Sequence, residues 1–447
     1  MIERGGLERL LAAHPQVRRL RVAFSGGLDS SVLLHWLQGL ALSGYMLDAV
    51  HVDHGWRAES ADWARHCVRA AAALGVDCQV IAVNGRPAPG ESPEAAARSA
   101  RYAALAATLD AGSALLCAQH ADDQAETLLL QLLRGAGPKG LAGMAADAAL
   151  GAGRLWRPLL ETPRARLRAY AEQQGLLWLE DPANADPAYE RSWLRQEIMP
   201  RLAVRYPALT RTLGRSARLC AQAAAAEEAL AAADLAPLRE GDTLRVDGLL
   251  ALPAARRDAA VRGWLLERSL PLPSAAQLGA LPELLTAGDD RAPCLRWPGA
   301  QLQRYRGRLH AFAPLPALAA GSVIVWPEPA QPLCLPDGSR LELRPVHGAG
   351  IAAARLHGQP LTVRYRRDGE RFHPAGRRHA QTLKKLLQEA GIAPWLRSRL
   401  PLLMAGEQLV AVAGLGIACD WTAAADAAGY ALAWQSQAAS ATMPRFV

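Results

Sequence analysis

No stretch of about 18 residues in this chain is both apolar and free of charge, which is what a membrane-spanning helix needs. Hydrophobic residues nevertheless make up 51% of the 447 residues. Even the alanine-rich segment after Cys220 is interrupted by Glu227, Glu228 and Asp234. The N-terminus also lacks the uninterrupted apolar core and cleavage site of a secretion signal. We therefore expect a soluble, cytoplasmic, globular protein with no membrane partner.

Cysteines at metal-ligand or redox spacing are also absent. The chain has seven cysteines, at Cys67, Cys78, Cys117, Cys220, Cys294, Cys334 and Cys419. They form no Cys-x-x-Cys pair and no cluster with histidine at the spacing of a metal site. This scattered set is typical of buried thiols in a reducing compartment.

The formal net charge of +8 is distributed unevenly along the chain. The segment 364–399 contains ten basic and three acidic residues, so its net charge is +7. Tyr365, Phe372, His373 and Trp395 lie between these charges. Because phosphate contacts and base stacking use these two residue types together, the segment predicts an RNA-binding surface. A solvated charged face is the alternative that the pattern leaves open.

Strand and helix patterns alternate in the first part of the chain, which indicates βαβ units and a parallel sheet. Strands are predicted at residues 21–24, 47–52, 78–83 and 114–118, and helices at 30–40, 59–74, 94–110 and 123–134. The fold class is therefore α/β. A nucleotide-binding N-terminal domain of this kind binds its ligand beyond the carboxyl ends of the strands.

The length of 447 residues exceeds that of one ordinary hydrophobic core, so the chain is divided into domains. We place the α/β domain at residues 1–205 and a small helical domain, in which alanine, leucine and arginine recur at helical spacing, at 206–313. Proline crowds the next stretch and predicts a linker at 314–335. A small basic α+β domain follows at 336–447, with strands at 361–366 and 408–413 and a basic helix at 382–390.

The strongest local pattern is an apolar strand that continues directly into a Ser/Gly loop and then into an apolar helix. The loop follows Ala23 and Phe24 and reads Ser25-Gly26-Gly27-Leu28-Asp29-Ser30-Ser31. Two glycines allow the backbone to approach an anion closely, and the start of the helix presents its positive end to the same point. The pattern predicts a phosphate-binding loop, and an ordinary glycine turn is the alternative.

Two common phosphate-binding motifs are absent. No lysine is preceded by glycine, which excludes a Walker loop, and a dinucleotide fingerprint would lack its third glycine. The complete Ser-Gly-Gly-x-Asp-Ser pattern instead resembles the PP-loop of the ATP pyrophosphatase superfamily, a HUP-like fold. This resemblance implies that the loop holds the pyrophosphate part of ATP and that AMP is transferred to an oxygen.

Further blocks of sequence narrow the resemblance. They read His51-Val52-Asp53-His54-Gly55-Trp56-Arg57, Glu94-Ala95-Ala96-Ala97-Arg98 with Arg101-Tyr102, Ala118-Gln119-His120-Ala121-Asp122-Asp123-Gln124-Ala125-Glu126-Thr127, Arg157-Pro158-Leu159-Leu160, Glu180-Asp181-Pro182 with Asn184 and Asp186, and Arg191 to Arg195. In order and spacing they resemble the tRNA(Ile)-lysidine synthase family closely over about the first 200 residues and more loosely beyond. Ser192 stands where the family usually has Asn, which leaves one side-chain amide contact in doubt.

The resemblance implies a carbon–nitrogen ligase that uses ATP and Mg²⁺. Its substrates would be L-lysine and tRNA(Ile) with a CAU anticodon. Lysine would be joined to C2 of cytidine 34 through an adenylated tRNA intermediate, with release of AMP and pyrophosphate. The oligomeric state stays open, and a homodimer is one option.

The acidic residues of these blocks are the candidates for chemistry. Asp29 is predicted to ligate Mg²⁺ or to organise the loop, and helix capping is its plain alternative. Asp53 and His51 end the second strand, where ligand contacts belong. Asp123 and Glu126 share the first turns of a helix and could recognise the lysine amine and accept its proton. The preference of acidic residues for helix N-termini is the alternative there.

The predicted site therefore has three parts. The catalytic candidates are Asp29, Asp53, Asp123 and Glu126, with Asp29 as the magnesium ligand. Nucleotide contacts are predicted at Ala23, Ser25, Gly26, Gly27, Leu28, Asp29, Ser30, Ser31, His51, Arg101 and His120. Contacts with tRNA are predicted at Arg191, Arg195, Arg371, Arg377, Arg378, Lys384 and Lys385.

Three other functions are weighed against this one. A PP-loop tRNA thiolase depends on paired cysteines or an iron–sulfur cluster, which the cysteine spacing disfavours. An adenylating amide-forming ligase that acts on small molecules is disfavoured, because such an enzyme would leave the basic C-terminal segment without a function. An inactive tRNA-binding protein is disfavoured by the intact loop from Ser25 to Ser30.

Overall fold

Strands and helices alternate along the first half of the chain, as the spacing of its apolar residues predicts. The computed structural model describes residues 2–53, 55, 60–83, 93–180, 190–288, 293–318, 321–367 and 369–435. The chain forms two compact units, Met1–Ala226 and Glu227–Val447. Within the described ranges, no helix combines the length and the apolar character that crossing a membrane requires.

Six strands of the first unit form one sheet. The strands are β1 (Arg19–Ala23), β2 (Met46–Asp53), β3 (Cys78–Ala82), β4 (Ser113–Leu116), β5 (Asp147–Leu150) and β6 (Gly153–Trp156). Their order across the sheet is β3-β2-β1-β4-β6-β5. Neighbouring strands are parallel except β5 and β6, which form an antiparallel hairpin. The α/β fold with a parallel sheet is confirmed.

Helices connect these strands and continue after the sheet. They are α1 (Gly5–Ala13), α2 (Leu28–Gly39), α3 (Ser60–Ala73), α4 (Pro93–Ala106), α5 (Ala121–Leu133), α6 (Pro138–Leu141), α7 (Arg164–Gln173), α8 (Glu190–Trp193), α9 (Met199–Arg205) and α10 (Leu209–Leu235). The four predicted helices correspond to α2, α3, α4 and α5. A five-residue π-helical turn, Leu194–Ile198, joins α8 to α9. The division between the two units falls within α10.

The centre of the sheet is apolar on both faces because helices cover it from both sides. All four residues of β4 are buried, and so are the three central residues of β1. One of these central residues is charged. Arg21 donates hydrogen bonds to both carboxylate oxygens of Asp48 on β2, at 2.6 and 3.0 Å, and to the carbonyl of Thr108 at 3.1 Å. The buried charge is therefore paired and hydrogen-bonded.

The first half of the second unit contains a five-stranded antiparallel sheet packed with helices. The strands are β7 (Arg239–Glu240), β8 (Thr243–Arg245), β9 (Cys294–Trp297), β10 (Ala300–Tyr305) and β11 (Arg308–Phe312), in the order β7-β8-β11-β10-β9. The helices are α11 (Val246–Ala251), α12 (Ala254–Glu267), α13 (Ala275–Gly279) and α14 (Leu281–Thr286).

The segment predicted to be helical thus holds a sheet as well as helices. Two short turns close its hairpins. Gly299 has φ +81°, and both Arg306 (φ +47°) and Gly307 (φ +72°) lie in the left-handed region. Two consecutive residues with positive φ match the twist of a two-residue β-hairpin turn. In the sequence, Pro298-Gly299 and Arg306-Gly307 indicate these two hairpin turns. The helical spacing of alanine and leucine upstream favoured a helical prediction for the whole segment instead.

The second half of the second unit contains two further antiparallel sheets and a short hairpin. Its strands are β12 (Val323–Trp326), β13 (Leu333–Cys334), β14 (Arg340–His347), β15 (Ile351–Ala352), β16 (Leu361–Tyr365), β17 (Arg371–Phe372), β18 (Gln381–Thr382), β19 (Pro401–Ala405), β20 (Gln408–Val412), β21 (Gly416–Ile417) and β22 (Ala428–Gln435). The helices are α15 (Ala353–Leu356), α16 (Leu383–Glu389) and α17 (Pro394–Arg397). The sheet orders are β12-β16-β19-β20-β21 and β13-β14-β22-β15, while β17 pairs with β18. Strands β12 and β13 lie inside the stretch predicted as a linker.

A partly buried charge cluster fastens the β5–β6 hairpin of the first unit to the residue that follows α1. The carboxylate of Asp147 lies 2.7 Å from His14 Nε2 and accepts hydrogen bonds from Arg154 Nε at 2.9 Å and Trp156 Nε1 at 3.1 Å. Burial by itself raises the pKa of Asp147. The hydrogen bonds from Arg154 and His14 and the charges of both residues outweigh it, so this pKa lies below its usual value.

We expect Asp147→Asn to lower the free energy of unfolding at pH 7 by about 2 kcal/mol, because it removes hydrogen bonds to a charged acceptor. The depressed pKa stabilises the fold above the unfolded-state pKa of about 3.9, and this stabilisation is lost as pH falls through the folded-state pKa. The difference between wild type and variant should therefore shrink below about pH 4. Hydrogen exchange of the β5–β6 amides at several pH values measures it. Glu172→Gln, which breaks an exposed pair with Arg168, is the control and should cost no more than about 0.5 kcal/mol.

Candidate active site

A cleft of about 850 Å³ opens at the carboxyl ends of β1, β2 and β4. This is where a parallel α/β sheet binds its ligands. The loop after β1, the start of α5, the start of α7 and the α8 region line it. The predicted residues that line the cleft are Ala23, Ser25, Gly27, Leu28, Asp29, Ser30, His51, Arg101, Asp123, Arg191 and Arg195. Residues far apart in the chain therefore meet at one edge of the sheet.

The phosphate loop is held by its own hydroxyl groups. Ser30 Oγ donates to the carbonyl of Gly27 at 3.1 Å and accepts from the backbone N–H of Ser25 at 3.2 Å. Gly26 has φ +77°, and a Cβ atom there would lie 2.9 Å from Cys67 Sγ. Gly27 has an ordinary φ of −78° and precedes the first residue of α2. Gly26 shapes the turn while Gly27 faces the cleft.

Asp29 lies in the first turn of α2, beside this loop. Its Oδ2 atom is 3.6 Å from His120 Nε2, and its Oδ1 atom is 3.7 Å from Arg164 Nε. Burial raises the pKa of Asp29, but the hydrogen bond from His120 and the charges of His120, Arg164 and Arg195 outweigh it. The net shift is downward. Asp29 is therefore ionised at neutral pH.

The buried Oδ1 atom of Asp29 accepts no hydrogen bond. This observation fits a role as a magnesium ligand, because Mg²⁺ is commonly held by one or two carboxylates together with substrate phosphates. Among the described residues, no group of three or more His, Cys, Asp or Glu side chains is arranged to hold a metal. A metal here would depend on the phosphates for its other ligands.

His120 lies beneath the cleft rather than in it, with 1% of its surface exposed. It caps α5 in two ways. Its ring Nδ1 accepts a hydrogen bond from the backbone N–H of Asp123 at 3.3 Å, and the backbone N–H of His120 donates to Asp123 Oδ2 at 3.1 Å. Its Nε2 then points to Asp29. Burial lowers the pKa of His120, but Asp29, Asp123 and Asp122 raise it above the usual value. His120 thereby orients the two aspartates that reach the cleft.

Glu126 forms the base of a charge network on α5. Its side chain is 2% exposed, and it accepts from Arg195 Nε at 2.7 Å and Arg195 Nη2 at 2.9 Å. Arg195 Nη2 also donates to Asp123 Oδ1 at 3.0 Å, and Arg191 Nε lies 3.4 Å from Glu126. Burial lowers the pKa of Arg195, whereas Glu126, Asp123 and Asp29 raise it. Asp123 reaches the cleft, while Glu126 holds the arginines in place.

Arg191 in α8 and Arg195 in the π-helical turn after it belong to one distorted helical segment. Pro200 has no N–H to donate to the carbonyl four residues earlier, and its ring clashes with that carbonyl. The chain responds with the π-helical turn from Leu194 to Ile198. Arg191 and Arg195 both reach Glu126 from this region. Ser192, which stands where the family usually has Asn, is buried.

The two candidates on β2 serve local structure. His51 is buried, and its Nδ1 lies 2.9 Å from the carbonyl of Phe24 and 3.3 Å from Cys67 Sγ. Its ring therefore ties the phosphate loop to β2 and α3, although it also lines the cleft. Asp53 accepts the backbone N–H of Gly55 at 2.8 Å and does not line the cleft. His54, Trp56 and Arg57 of the same block lie outside the described residues.

Several predicted positions are therefore placed apart from the cleft lining: Gly26, Ser31, Asp53, His120 and Glu126. The carboxylate of Asp122 accepts the backbone N–H of Arg164 at 2.8 Å and so holds the start of α7. The segment from Asp181 to Asp186 lies outside the described residues. Two arginines of α7 that sequence reasoning missed, Arg164 and Arg168, line the cleft. Their signal was a helix start after Pro163 with two arginines four residues apart.

The predicted tRNA contacts of the second unit lie on its surface. Arg371, Arg377, Arg378, Lys384 and Lys385 are all exposed, on the β17–β18 hairpin and α16. Arg377 is paired with Glu389 at 2.8 Å. We call these five residues the basic hairpin surface.

Other basic residues of segment 364–399 are used inside the unit. Arg364 pairs with Glu370, Arg397 donates to the carbonyl of Ile392, and Arg399 donates to the carbonyl of Pro316. The prediction of base stacking is wrong for Phe372, which is 3% exposed and belongs to the hydrophobic core. Trp395 packs against Tyr305, His310 and Phe312. The net charge of +7 for segment 364–399 therefore overstates the number of its basic side chains that are free to bind RNA.

The strand, glycine loop and helix, with an ionised aspartate at the helix start, define a PP-loop nucleotide-binding domain. The family model described as the PP-loop domain matches residues 5–202. Models of the TilS substrate binding domain and the TilS substrate C-terminal domain match residues 244–310 and 361–434. The class of protein is thus a PP-loop enzyme that also carries a TilS substrate binding domain and a TilS substrate C-terminal domain.

Curated relatives specify the family. The tRNA(Ile)-lysidine synthase of Alkalilimnicola ehrlichii is 48% identical over 410 residues, covering 90% of this chain and 91% of that protein. The tRNA(Ile)-lysidine synthase of Methylococcus capsulatus is 44% identical over 399 residues, covering 88% and 91%. The solved structure of the U34-tRNA thiolase NcsA of Methanococcus maripaludis matches 45% of this chain and 72% of its own length, with 17% identity and a TM-score of 0.39. The chain belongs to the tRNA(Ile)-lysidine synthase family.

Gly26→Ala should destabilise the first unit by about 2 kcal/mol, because φ +77° is strained for any residue with a Cβ and the new atom would press on Cys67 Sγ. Gly27→Ala is the matched control. Its φ is ordinary and its nearest new neighbour would lie at 3.6 Å, so its stability should stay within about 0.5 kcal/mol of wild type. Denaturant unfolding of both variants measures the difference. Equal losses would show that the left-handed turn is not what the loop requires.

Proposed function

We propose that this protein catalyses the ATP-dependent ligation of L-lysine to C2 of cytidine 34 in the CAU anticodon of tRNA(Ile). The observation that carries the proposal is the cleft of the first unit. There an ionised aspartate, Asp29, stands at the start of α2 beside a glycine loop, and arginines line the same cleft. Such a site suits a polyphosphate and a second polyanion. Membership of the tRNA(Ile)-lysidine synthase family identifies the second polyanion as tRNA(Ile) and the amine substrate as L-lysine.

The first half-reaction is adenylation of the RNA base. The C2 oxygen of the cytosine attacks the α-phosphorus of ATP, the bond from that phosphorus to the bridging oxygen breaks, and pyrophosphate leaves with the electron pair. The N–H groups of the loop at Gly27 and Leu28 would hold the departing phosphates. Asp29 would hold Mg²⁺, which supplies positive charge to the phosphate oxygens. The apolar wall formed by Phe24, Val50 and Leu105 suits the adenine ring.

The second half-reaction joins lysine to the base. Its ε-amine forms a bond to C2, the bond from C2 to the adenylated oxygen breaks, and AMP leaves. A lysine amine has a pKa of about 10.4, so a base must take a proton from it before attack. Asp123 reaches the cleft and is our candidate for that base. Glu126 is buried and hydrogen-bonded to Arg195 at both oxygens, so it would act by positioning.

A thiolase function is disfavoured by the state of Cys67, Cys78 and Cys117, three of the seven cysteines. Burial raises the pKa of Cys67 to about 12 and those of Cys78 and Cys117 to about 11. These groups are therefore thiols at neutral pH, whereas sulfur transfer and cluster ligation use thiolates. An inactive tRNA-binding protein would have no need for an ionised Asp29 with an unsatisfied buried oxygen.

The direct test incubates the full chain with ATP, Mg²⁺, radiolabelled lysine and unmodified tRNA(Ile), and measures both label in RNA and pyrophosphate release. Wild type should do both. Asp29→Ala should reduce both by about 100-fold or more, because it removes charge from the phosphate site. Asp62→Ala, at an exposed aspartate paired with Arg65, is the control and should leave both rates unchanged. Label incorporation at the wild-type rate by Asp29→Ala would overturn the assignment of the loop.

We also propose that the basic hairpin surface contacts tRNA, because its five side chains are exposed and carry one sign of charge. Replacing Arg377, Arg378, Lys384 and Lys385 with alanine should weaken tRNA binding. It should also lower the slope of log K against log salt by about one per lost phosphate contact. ATP binding should persist. Lys384→Arg with Lys385→Arg preserves charge and should bind tRNA like wild type. Unchanged tRNA affinity in the quadruple variant would refute the assignment.

A further inference from the structure

Two buried polar atoms of opposite charge face each other beside the phosphate loop without completing a hydrogen bond. Asp29 Oδ1 and Arg164 Nε each have no hydrogen-bond partner, and they are 3.7 Å apart. That separation exceeds the usual 2.7–3.2 Å of an N–H to oxygen hydrogen bond. Leaving a buried donor or acceptor unsatisfied is costly, and such pairs are retained where a ligand completes them.

The backbone of Arg164 is held firmly in this position. It is the first residue of α7, and its N–H donates to the carboxylate of Asp122 at 2.8 Å. Leu167 and Ala171 of the same helix are fully buried in the core of the first unit. The helix start is therefore anchored from both sides. The side chain of Arg164 leaves this fixed point and lines the cleft.

Two other arginines that line the cleft form closer pairs with carboxylates than Arg164 does. Arg168 lies one turn further along α7 and pairs with Glu172 at 3.2 Å. Arg195 donates to both oxygens of Glu126. The ion pair of Arg164 with Asp29 is long and incomplete. Its guanidinium charge can therefore turn to a ligand at lower cost than theirs.

We infer that Arg164 is a ligand of the pyrophosphate part of ATP, and that nucleotide binding separates it from Asp29. This inference rests on the proposed function, because it requires ATP in the cleft. A phosphate oxygen would complete the hydrogen bonding of Arg164 Nε, and Asp29 Oδ1 would turn to the cation that accompanies the phosphates. In the free enzyme each group neutralises the other.

This assignment gives Arg164 a role in the adenylation step. When the bond between the α-phosphorus and the bridging oxygen breaks, the electron pair goes to the leaving pyrophosphate. The charge on that group increases, and a guanidinium in contact with it stabilises the transition state. AMP lacks the β- and γ-phosphates, so it does not reach Arg164. The lysine step, which expels AMP, does not involve this residue.

The test is calorimetric titration of the full chain with ATP, inorganic pyrophosphate and AMP in the presence of Mg²⁺. Arg164→Ala should weaken binding of ATP and pyrophosphate by about 10- to 100-fold, the range of a hydrogen bond to a charged group, and leave AMP binding unchanged. Arg164→Lys keeps the charge but lacks the planar guanidinium donors. Its affinity for ATP and pyrophosphate should therefore lie between the affinities of wild type and Arg164→Ala. Arg166→Ala is the matched control, because Arg166 lies on the same helix, is exposed and paired with Glu3, and does not line the cleft. This variant should bind all three ligands like wild type.

The outcomes separate the inference from the proposed function. Equal weakening of AMP and pyrophosphate by Arg164→Ala would assign Arg164 to the structure of the cleft and overturn the inference. Unchanged binding of all three ligands would overturn it too, while leaving the proposed function intact. Wild type that binds neither ATP nor pyrophosphate would defeat the proposed function itself. Should Arg164→Ala fail to fold, Arg164→Lys still decides, because wild-type affinity for pyrophosphate in that variant contradicts a hydrogen bond from the guanidinium to the phosphate.

Discussion

The active cleft depends on how buried carboxylates are paired with arginine and histidine side chains at the edge of the parallel sheet. Burial of an ionised carboxylate is expensive unless a charge or hydrogen bond compensates it. His120 compensates Asp29 and Asp123, and Arg195 compensates Asp123 and Glu126. This network joins the phosphate loop to α5 and to the distorted helix after α8. It keeps Asp29 ionised, which is the property that metal and phosphate chemistry needs.

The network divides the candidate residues of the sequence motifs into two groups. Asp29 and Asp123 reach the cleft, whereas His120 holds both aspartates from below and Glu126 holds Arg195, which pairs with Asp123. All four belong to motifs of the kind that sequence inspection marks as catalytic. Substitution of His120 or Glu126 would reduce activity almost as much as substitution of Asp29 or Asp123, because a buried charged group would lose its partner. Activity measurements alone therefore do not separate the groups, and ligand-specific binding does.

Part of the architecture could be predicted from the chain alone because it rests on local rules. The existence and parallel pairing of β1 to β4 follow from apolar runs separated by helical patterns, and the phosphate loop follows from two glycines between a strand and a helix. The sheet in the middle segment was not foreseen. Its strands are short, and the two hairpin turns at Gly299 and Gly307 gave weaker signals than the alanine-rich helices around them.

What the sequence by itself determined is the class of chemistry: a loop for phosphates, acidic residues beside it, and a surplus of basic residues near the C-terminus. Only the tertiary structure decided which charges are available. It buried Glu126 against Arg195, turned Arg364, Arg397 and Arg399 inward, and brought Arg164 within 3.7 Å of Asp29 across 135 positions of chain. Availability of a charge is set by what packs around it, and the packing partners of these residues are distant in sequence.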